Sequence, residues 1–181
     1  MLLEQTVTWL EMRSPDELRP GRAPPAPVAL ELGDRSLVPL LRATTDQVGG
    51  PHGWSSRRAW SEVQWAGHLA RPEVRAWVAR VGDEPAGLIE LETRPGHEVE
   101  LTVFGLVPEF VGRGFGGHLL TLATRLAWET RHPGDAATQR VWLHTASSDH
   151  ANALPNYLGR GFRVVRTELR RKQVPAAAED A

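Results

Sequence analysis

The chain has no cysteine. That excludes disulfides, cysteine-ligated zinc or iron–sulfur clusters, and an acyl-cysteine intermediate. Lysine is nearly absent too: Lys172 stands alone among 21 lysine and arginine residues. Neither a lysine Schiff base nor a phosphate-loop lysine is expected. Charge of one sign is also lacking. The formal net charge is -1, so composition offers no basic field for nucleic acid or for an anionic membrane. No apolar run approaches the ~18 residues of a membrane span. The first residues, Met1-Leu2-Leu3-Glu4, lack the charged and apolar regions of a secretory signal, and a cytoplasmic location is expected. Tyrosine occurs once, at Tyr157.

What is present describes a globular chain of 181 residues, 41% hydrophobic and 24% charged, too apolar for global disorder. Its length predicts one domain. The bias toward Arg, Ala, Gly and Pro suggests a GC-rich bacterial genome. A short strand is read at Thr6–Met12, followed by a connector over residues 13–27 with five prolines. Residues 28–172 hold the main domain and 173–181 a frayed tail. Within the domain, Val28–Leu32 reads as a strand. Ser36 is read as the cap of a helix to Gln47, and a second helix spans Ser56–Leu69. Val74–Val81 and Pro85–Thr93 form a hairpin, and His97–Val107 is a third strand. Arg113–Arg131 has apolar positions at helical spacing. Arg140–Thr145 is a strand, His150–Leu158 a short helix and Phe162–Arg171 a last strand. This order predicts a mixed sheet with helices on its faces.

The stretch Gly112-Arg113-Gly114-Phe115-Gly116-Gly117 follows a strand and opens a helix. Such a turn directs backbone N–H groups, at the positive end of the helix dipole, toward an anion. Glycine lets the backbone approach closely, and Arg113 adds charge. The spacing also matches the dinucleotide fingerprint literally, although that fold places its loop early, ahead of further strand–helix units. A nucleotide phosphate loop would need a Gly-Lys-Ser/Thr ending, which is missing. A tight turn with no ligand is the remaining reading of the loop by itself.

Two motifs carry a resemblance to a known family. Val111-Gly112-Arg113-Gly114-Phe115-Gly116 resembles motif A of the GNAT acyl-CoA N-acyltransferases, with Val111 in place of the usual Arg or Gln. Downstream, Ala153, Tyr157 and Gly161-Phe162 fall at the spacings of the family's motif B. The resemblance covers roughly residues 28–172. It implies an α/β (α+β mixed-sheet) fold: a mostly antiparallel sheet with a central splay and helices on both faces. The family commonly closes its sheet with two strands after the last helix. Only one is read here, and the N-terminal strand is placed to complete the sheet instead.

The resemblance further implies acetyl-CoA as co-substrate, with no metal. Its pyrophosphate would lie on Gly112, Arg113, Gly114, Phe115, Gly116 and Gly117. Its pantetheine would lie along the backbone of Phe104, Gly105, Leu106 and Val107, with Asn152 and His150 near the cofactor. Tyr157 falls on the motif B tyrosine, which implies a hydrogen bond to the sulfur and a general-acid role. The implied activity is direct transfer of an acetyl group to a primary amine, most simply of a small molecule, by a monomer or homodimer.

Period-2 alternation puts Glu98, Glu100, Thr102 and Phe104 on one face of the third strand and Val99, Leu101 and Val103 on the other. Glu100 falls where several family members carry a general-base glutamate, with Glu98 as the alternative. Partial burial is expected to raise its pKa and suit it to act directly or through water. A salt bridge to an arginine is the structural alternative. His144 is a second acid–base candidate, and the seven histidines show no metal-ligand spacing. Trp54 follows a glycine in a loop and is assigned to the acceptor pocket, whereas Trp60 and Trp65 are read as packing the second helix on the sheet. Other readings are a non-catalytic CoA-binding regulatory module, a dinucleotide-binding oxidoreductase, and a protein-interaction domain using the tryptophans.

Overall fold

The computed structural model describes residues 2–173. Residues 174–181, most of the expected tail, lie outside the described residues. The elements in chain order are β1 (Leu2–Met12), β2 (Ala29–Leu32), α1 (Val38–Gly49), α2 (Glu62–Leu69), β3 (Val74–Val81), β4 (Glu84–Arg94), β5 (Glu98–Leu106), α3 (Gly116–Glu129), β6 (Arg131–His132), β7 (Ala136–Ala137), β8 (Arg140–Ala146), α4 (Ala153–Gly159) and β9 (Arg163–Gln173). Seven strands form one sheet in the order β2-β3-β4-β5-β8-β1-β9. Every neighbouring pair is antiparallel except β5 and β8. The N-terminal strand therefore sits inside the sheet, paired with β8 on one side and β9 on the other.

Alternation along the strands sorts the core onto two faces. Ile89, Leu91, Val99, Leu101, Val141 and Leu143 pack with Leu119, Leu120 and Ala123 of α3 and with Tyr157 of α4. On the opposite face Leu41 of α1 packs on Ala76 and Val78, and Val48 packs with Ala86, Leu88 and Val103. The connector after β1 is tied to the first of these layers. Leu18 packs against its core, the Arg19 N–H donates to the Arg160 carbonyl at 2.9 Å, and the Gly21 N–H donates to Thr121 Oγ1 at 2.8 Å.

Several boundaries differ from expectation for identifiable reasons. Ser36 does not cap a helix. The carboxylate of Asp34 accepts from the Ser36 backbone and hydroxyl and caps a 3-10 turn, and α1 starts at Val38. Helix α2 starts at Glu62, not Ser56, because Ser61 and Gln64 form a reciprocal capping box. Helix α3 starts at Gly116, since Gly114 at φ 88° cannot be helical. The β6–β7 hairpin was not anticipated; its strands have two residues each.

The strand parity of β5 also changes midway. Glu90 pairs with Val103 but Leu91 pairs with Leu101, so Thr102 is an extra residue in the ladder. Val103 then joins the α1 face, and Phe104 turns to the α3–α4 face, 6.1 Å ring to ring from Tyr157. The expected alternation holds through Thr102 and fails for Val103 and Phe104.

Beneath α2, the buried Glu90 receives a two-pronged hydrogen bond from Arg57, at 2.6 Å on each oxygen. Thr102 Oγ1 donates to it at 2.8 Å, and His68 Nε2 lies at 3.2 Å. Burial alone raises this carboxyl, but His68 and Arg57 outweigh it and hold it down from 4.5 to about 2. Arg57 also stacks on Trp60 at 5.0 Å, and Trp65 is fully buried, so both tryptophans pack α2 as expected. A carboxyl depressed on folding stabilises above its unfolded pKa and loses that contribution as pH falls through its folded one. Glu90→Gln should therefore cost about 3 kcal/mol at neutral pH. In urea unfolding, the gap to the parent chain should narrow as pH falls from 4.5 toward 2. A gap that stays constant down to about pH 3 would rule out this electrostatic origin.

Candidate active site

The parallel ladder between β5 and β8 lasts three residues, Glu98–Glu100 against Arg140–Trp142. Both strands continue, β5 to Leu106 and β8 to Ala146, so they part beyond Glu100. The N–H and C=O groups on that side of β5 then have no ladder partner and are available to a ligand.

A cleft of about 320 Å³ opens there. Phe104, Gly105 and Leu106 of β5 form one wall, with Gly112, Gly114 and Gly116 at one end. Asn152 and Tyr157 also line it. Gly112 and Gly114 have φ of 75° and 88°, which only glycine adopts at little cost. A β-carbon on Gly112 would meet nothing within 4 Å, so a ligand can lie directly on that backbone. The first N–H groups of α3, at Gly116, Gly117 and His118, have no helical acceptor.

Four assigned cofactor residues lie differently. Val107 and Phe115 are buried in the core of the α1 face, and the Val107 N–H is taken by the Ala86 carbonyl. Arg113 donates to the Glu109 carbonyl at 3.1 Å and stacks on Phe110. Gly117 packs between Gly21 and the Arg160 guanidinium.

A second cavity of about 250 Å³ adjoins the cleft, lined by Thr102, Val103, His144, Asp46 and Arg58 among others. Trp54 and Asp149 line both spaces. Trp54 Nε1 donates to Asp149 Oδ1 at 3.0 Å. Oδ2 of Asp149 accepts from Thr145 Oγ1 at 2.7 Å and from the Ala146 N–H at 2.8 Å.

Glu100 is buried two residues beyond Thr102. Arg94 grips its Oε2 through both Nε and Nη2, and His144 Nδ1 lies 3.6 Å from Oε1. The expected rise in pKa does not occur. Burial pushes the carboxyl up, but His144 and Arg94 more than offset it and hold it below the ordinary value. Glu98 is engaged by Arg140 at 2.9 Å, further from the cavities. Tyr157 shifts the other way: complete burial, with the Asp149 charge nearby, pushes its phenol well up.

Sequence reading missed Asp149, His52 and Asn156. Asn156 precedes the motif B tyrosine and donates to the Gly116 carbonyl at 3.1 Å, tying α4 to the glycine loop. His52 stands edge-on to His150 at 5.9 Å. Asp149 had a faint signal in Ser147-Ser148-Asp149 directly after a strand, a typical turn sequence.

The sequence profile of the acetyltransferase (GNAT) family matches residues 39–162. The chain belongs to that family. No curated protein matches it. Among solved structures the fold is similar to a GCN5-related N-acetyltransferase from Sphaerobacter thermophilus, with TM-score 0.66 and 14% identity over 93% of this chain and 51% of that one. It is also similar to one from Kribbella flavida, with TM-score 0.63 and 16% identity over 94% and 59%. This chain thus spans less than two thirds of those chains. A third is the aminoglycoside acetyltransferase meta-AAC0020 from an uncultured soil metagenomic sample, in complex with sisomicin, with TM-score 0.52 and 10% identity over 74% and 85%. The literal dinucleotide fingerprint is therefore not in a dinucleotide fold, since only β5 and β8 run parallel among the described strands.

The opposed influences on Glu100 can be separated. In Arg94→Gln, burial keeps its upward push and the His144 contact remains while the guanidinium is lost, so the carboxyl should titrate at higher pH than in the parent chain. Carboxyl-carbon NMR titration reads this directly, and an unmoved midpoint would show that Arg94 does not hold the charge.

Proposed function

We propose that this chain transfers an acetyl group from acetyl-CoA to a primary amine of a small molecule, by direct attack in a ternary complex. The observation that carries the reading is the convergence of the parted β5 edge, the glycine loop and Tyr157 on one cleft that adjoins a second, more polar cavity. The loop fits a pyrophosphate: its backbone is open at Gly112, and the helix end supplies donors and positive potential. The free edge of β5 at residues 104–106 fits the amides of a pantetheine arm, which bind backbone regardless of side chain. The second cavity then takes the amine. The similarity to an aminoglycoside acetyltransferase fold supports an amine acceptor.

In the reaction the amine nitrogen attacks the thioester carbonyl carbon. The C–N bond forms, the C–S bond breaks, the amine gives up a proton and the sulfur gains one. Tyr157 stays a neutral phenol because its pKa is raised. A thiol of ordinary acidity has a pKa of about 8.5, so full proton transfer from this phenol to the thiolate runs uphill. The side chain is better suited to donating a hydrogen bond to the sulfur as charge develops than to surrendering its proton. Glu100 is held ionised behind His144, and His144 lines the amine cavity. The imidazole is therefore placed to take the amine proton, with Glu100 orienting it and stabilising its charged form.

Calorimetric titration tests the reading. Acetyl-CoA should bind at micromolar concentration and NAD and NADP should not, and Gly114→Glu should abolish the binding. Absence of acetyl-CoA binding to folded protein would sink the proposal. Binding without thiol release across a panel of amines would favour a regulatory module. With an active amine in hand, Tyr157→Phe should lower kcat by about 100-fold with little change in KM for acetyl-CoA. His144→Gln and Glu100→Gln should each cost most of what the double variant costs, because the pair acts as a unit. Additive losses would separate the two residues.

A further inference from the structure

Trp54 stands at the partition between the cofactor cleft and the amine cavity, and it is held there from three sides. Its indole N–H donates to Asp149 Oδ1 at 3.0 Å. Asp149 cannot swing freely, because Thr145 Oγ1 and the Ala146 N–H fix its other oxygen. The indole lies against the backbone of Gly49, where a β-carbon would overlap the ring, and it packs on the core containing Val48, Leu88 and Val103. The Trp54 N–H also donates to the Gly49 carbonyl at 3.0 Å. An aromatic ring held by hydrogen bonds, backbone contact and core packing is a wall rather than a flap.

On the reading that pantetheine lies along Leu106 to Phe104, the atoms beyond the sulfur reach Val103 and Thr102. Those residues line the amine cavity, and Trp54 borders both spaces. An acetyl group carries only one carbon beyond its carbonyl. A longer chain has to pass the indole and would enter the cavity of about 250 Å³ that the amine must occupy. We propose that Trp54 sets the length of acyl group this protein accepts, confining the donor to acetyl and propionyl thioesters. The inference rests on the acyl-CoA reading above and adds to it a residue that determines donor specificity.

Binding can test it without turnover. The probes are CoA, acetyl-CoA, butyryl-CoA and hexanoyl-CoA, titrated calorimetrically into the parent chain, Trp54→Ala and Trp54→Leu. The parent should bind butyryl- and hexanoyl-CoA at least tenfold more weakly than acetyl-CoA. Trp54→Ala should bind the three acyl-CoAs within about threefold of one another, each read against CoA in the same variant. Trp54→Leu keeps an apolar side chain on Gly49 and should be intermediate, which also guards against a poorly folded alanine variant. Equal affinities in the parent, or undiminished discrimination in both variants, would overturn the inference, as would loss of CoA binding in folded variants. Failure of the parent to bind CoA or acetyl-CoA would instead remove the acyltransferase reading on which it stands.

Discussion

Three residue pairs of parallel ladder, Glu98–Glu100 against Arg140–Trp142, join the two halves of this sheet. The site depends on that ladder being short. Were β5 and β8 paired to their ends, the β5 backbone from Leu101 to Leu106 would be satisfied within the protein and no cleft would exist. Because they part, one edge of a central strand keeps its donors and acceptors for a ligand. The closed end is held firmly: Arg140 reaches Glu98 on β5 and Glu11 on β1 from its place on β8, spanning three adjacent strands with one guanidinium. The open end is the cleft that Trp54, Asp149, Asn156 and Tyr157 line.

The buried charges around this break show what arginine supplies there. Glu90 and Glu100 are buried carboxylates, and a buried charge is tolerated only when paired and hydrogen-bonded. Arg57 covers both oxygens of Glu90, and Arg94 delivers two donors to Glu100 while a third reaches Glu92. A lysine ammonium is a point charge and could not reproduce either fork. The carboxylates in turn fix the segments that carry function. Glu90 pins Arg57, and with it the loop leading from Trp54 to α2. Glu100 lies 3.6 Å from the imidazole of His144, which lines the second cavity.

Much of this was legible in sequence where local chemistry determines structure. The glycine loop, the hairpin of β3 and β4, and the motif B segment each carry their own turn or spacing signal, and all appear where expected. What could not be read depends on pairing between distant segments. The bulge at Thr102 exists only relative to Glu90 and Leu91 on the neighbouring strand, so strict alternation assigned Phe104 to the wrong face. The pKa of Glu100 was misjudged for the same reason: burial was foreseeable, but the two arms of Arg94 come from the previous strand. Asp149 looks like an ordinary turn residue until Trp54, 95 positions away, is placed against it.

The bulge also connects the fold to the chemistry. By turning Phe104 onto the α3–α4 face it sets an aromatic ring 6.1 Å from that of Tyr157, whose burial raises its pKa. By leaving Thr102 on the opposite face it supplies Glu90 with a third donor and a wall for the second cavity. One extra residue thus separates the environments of two titratable groups on either side of a single strand. The tyrosine is driven toward its neutral form and Glu100 toward its charged form, so neither changes protonation near neutral pH. In the proposed acetyl transfer, a carboxylate held below its ordinary pKa is a weak acceptor for the amine proton. That proposal therefore gives the proton to the imidazole of His144, which lies 3.6 Å from Glu100 and lines the second cavity.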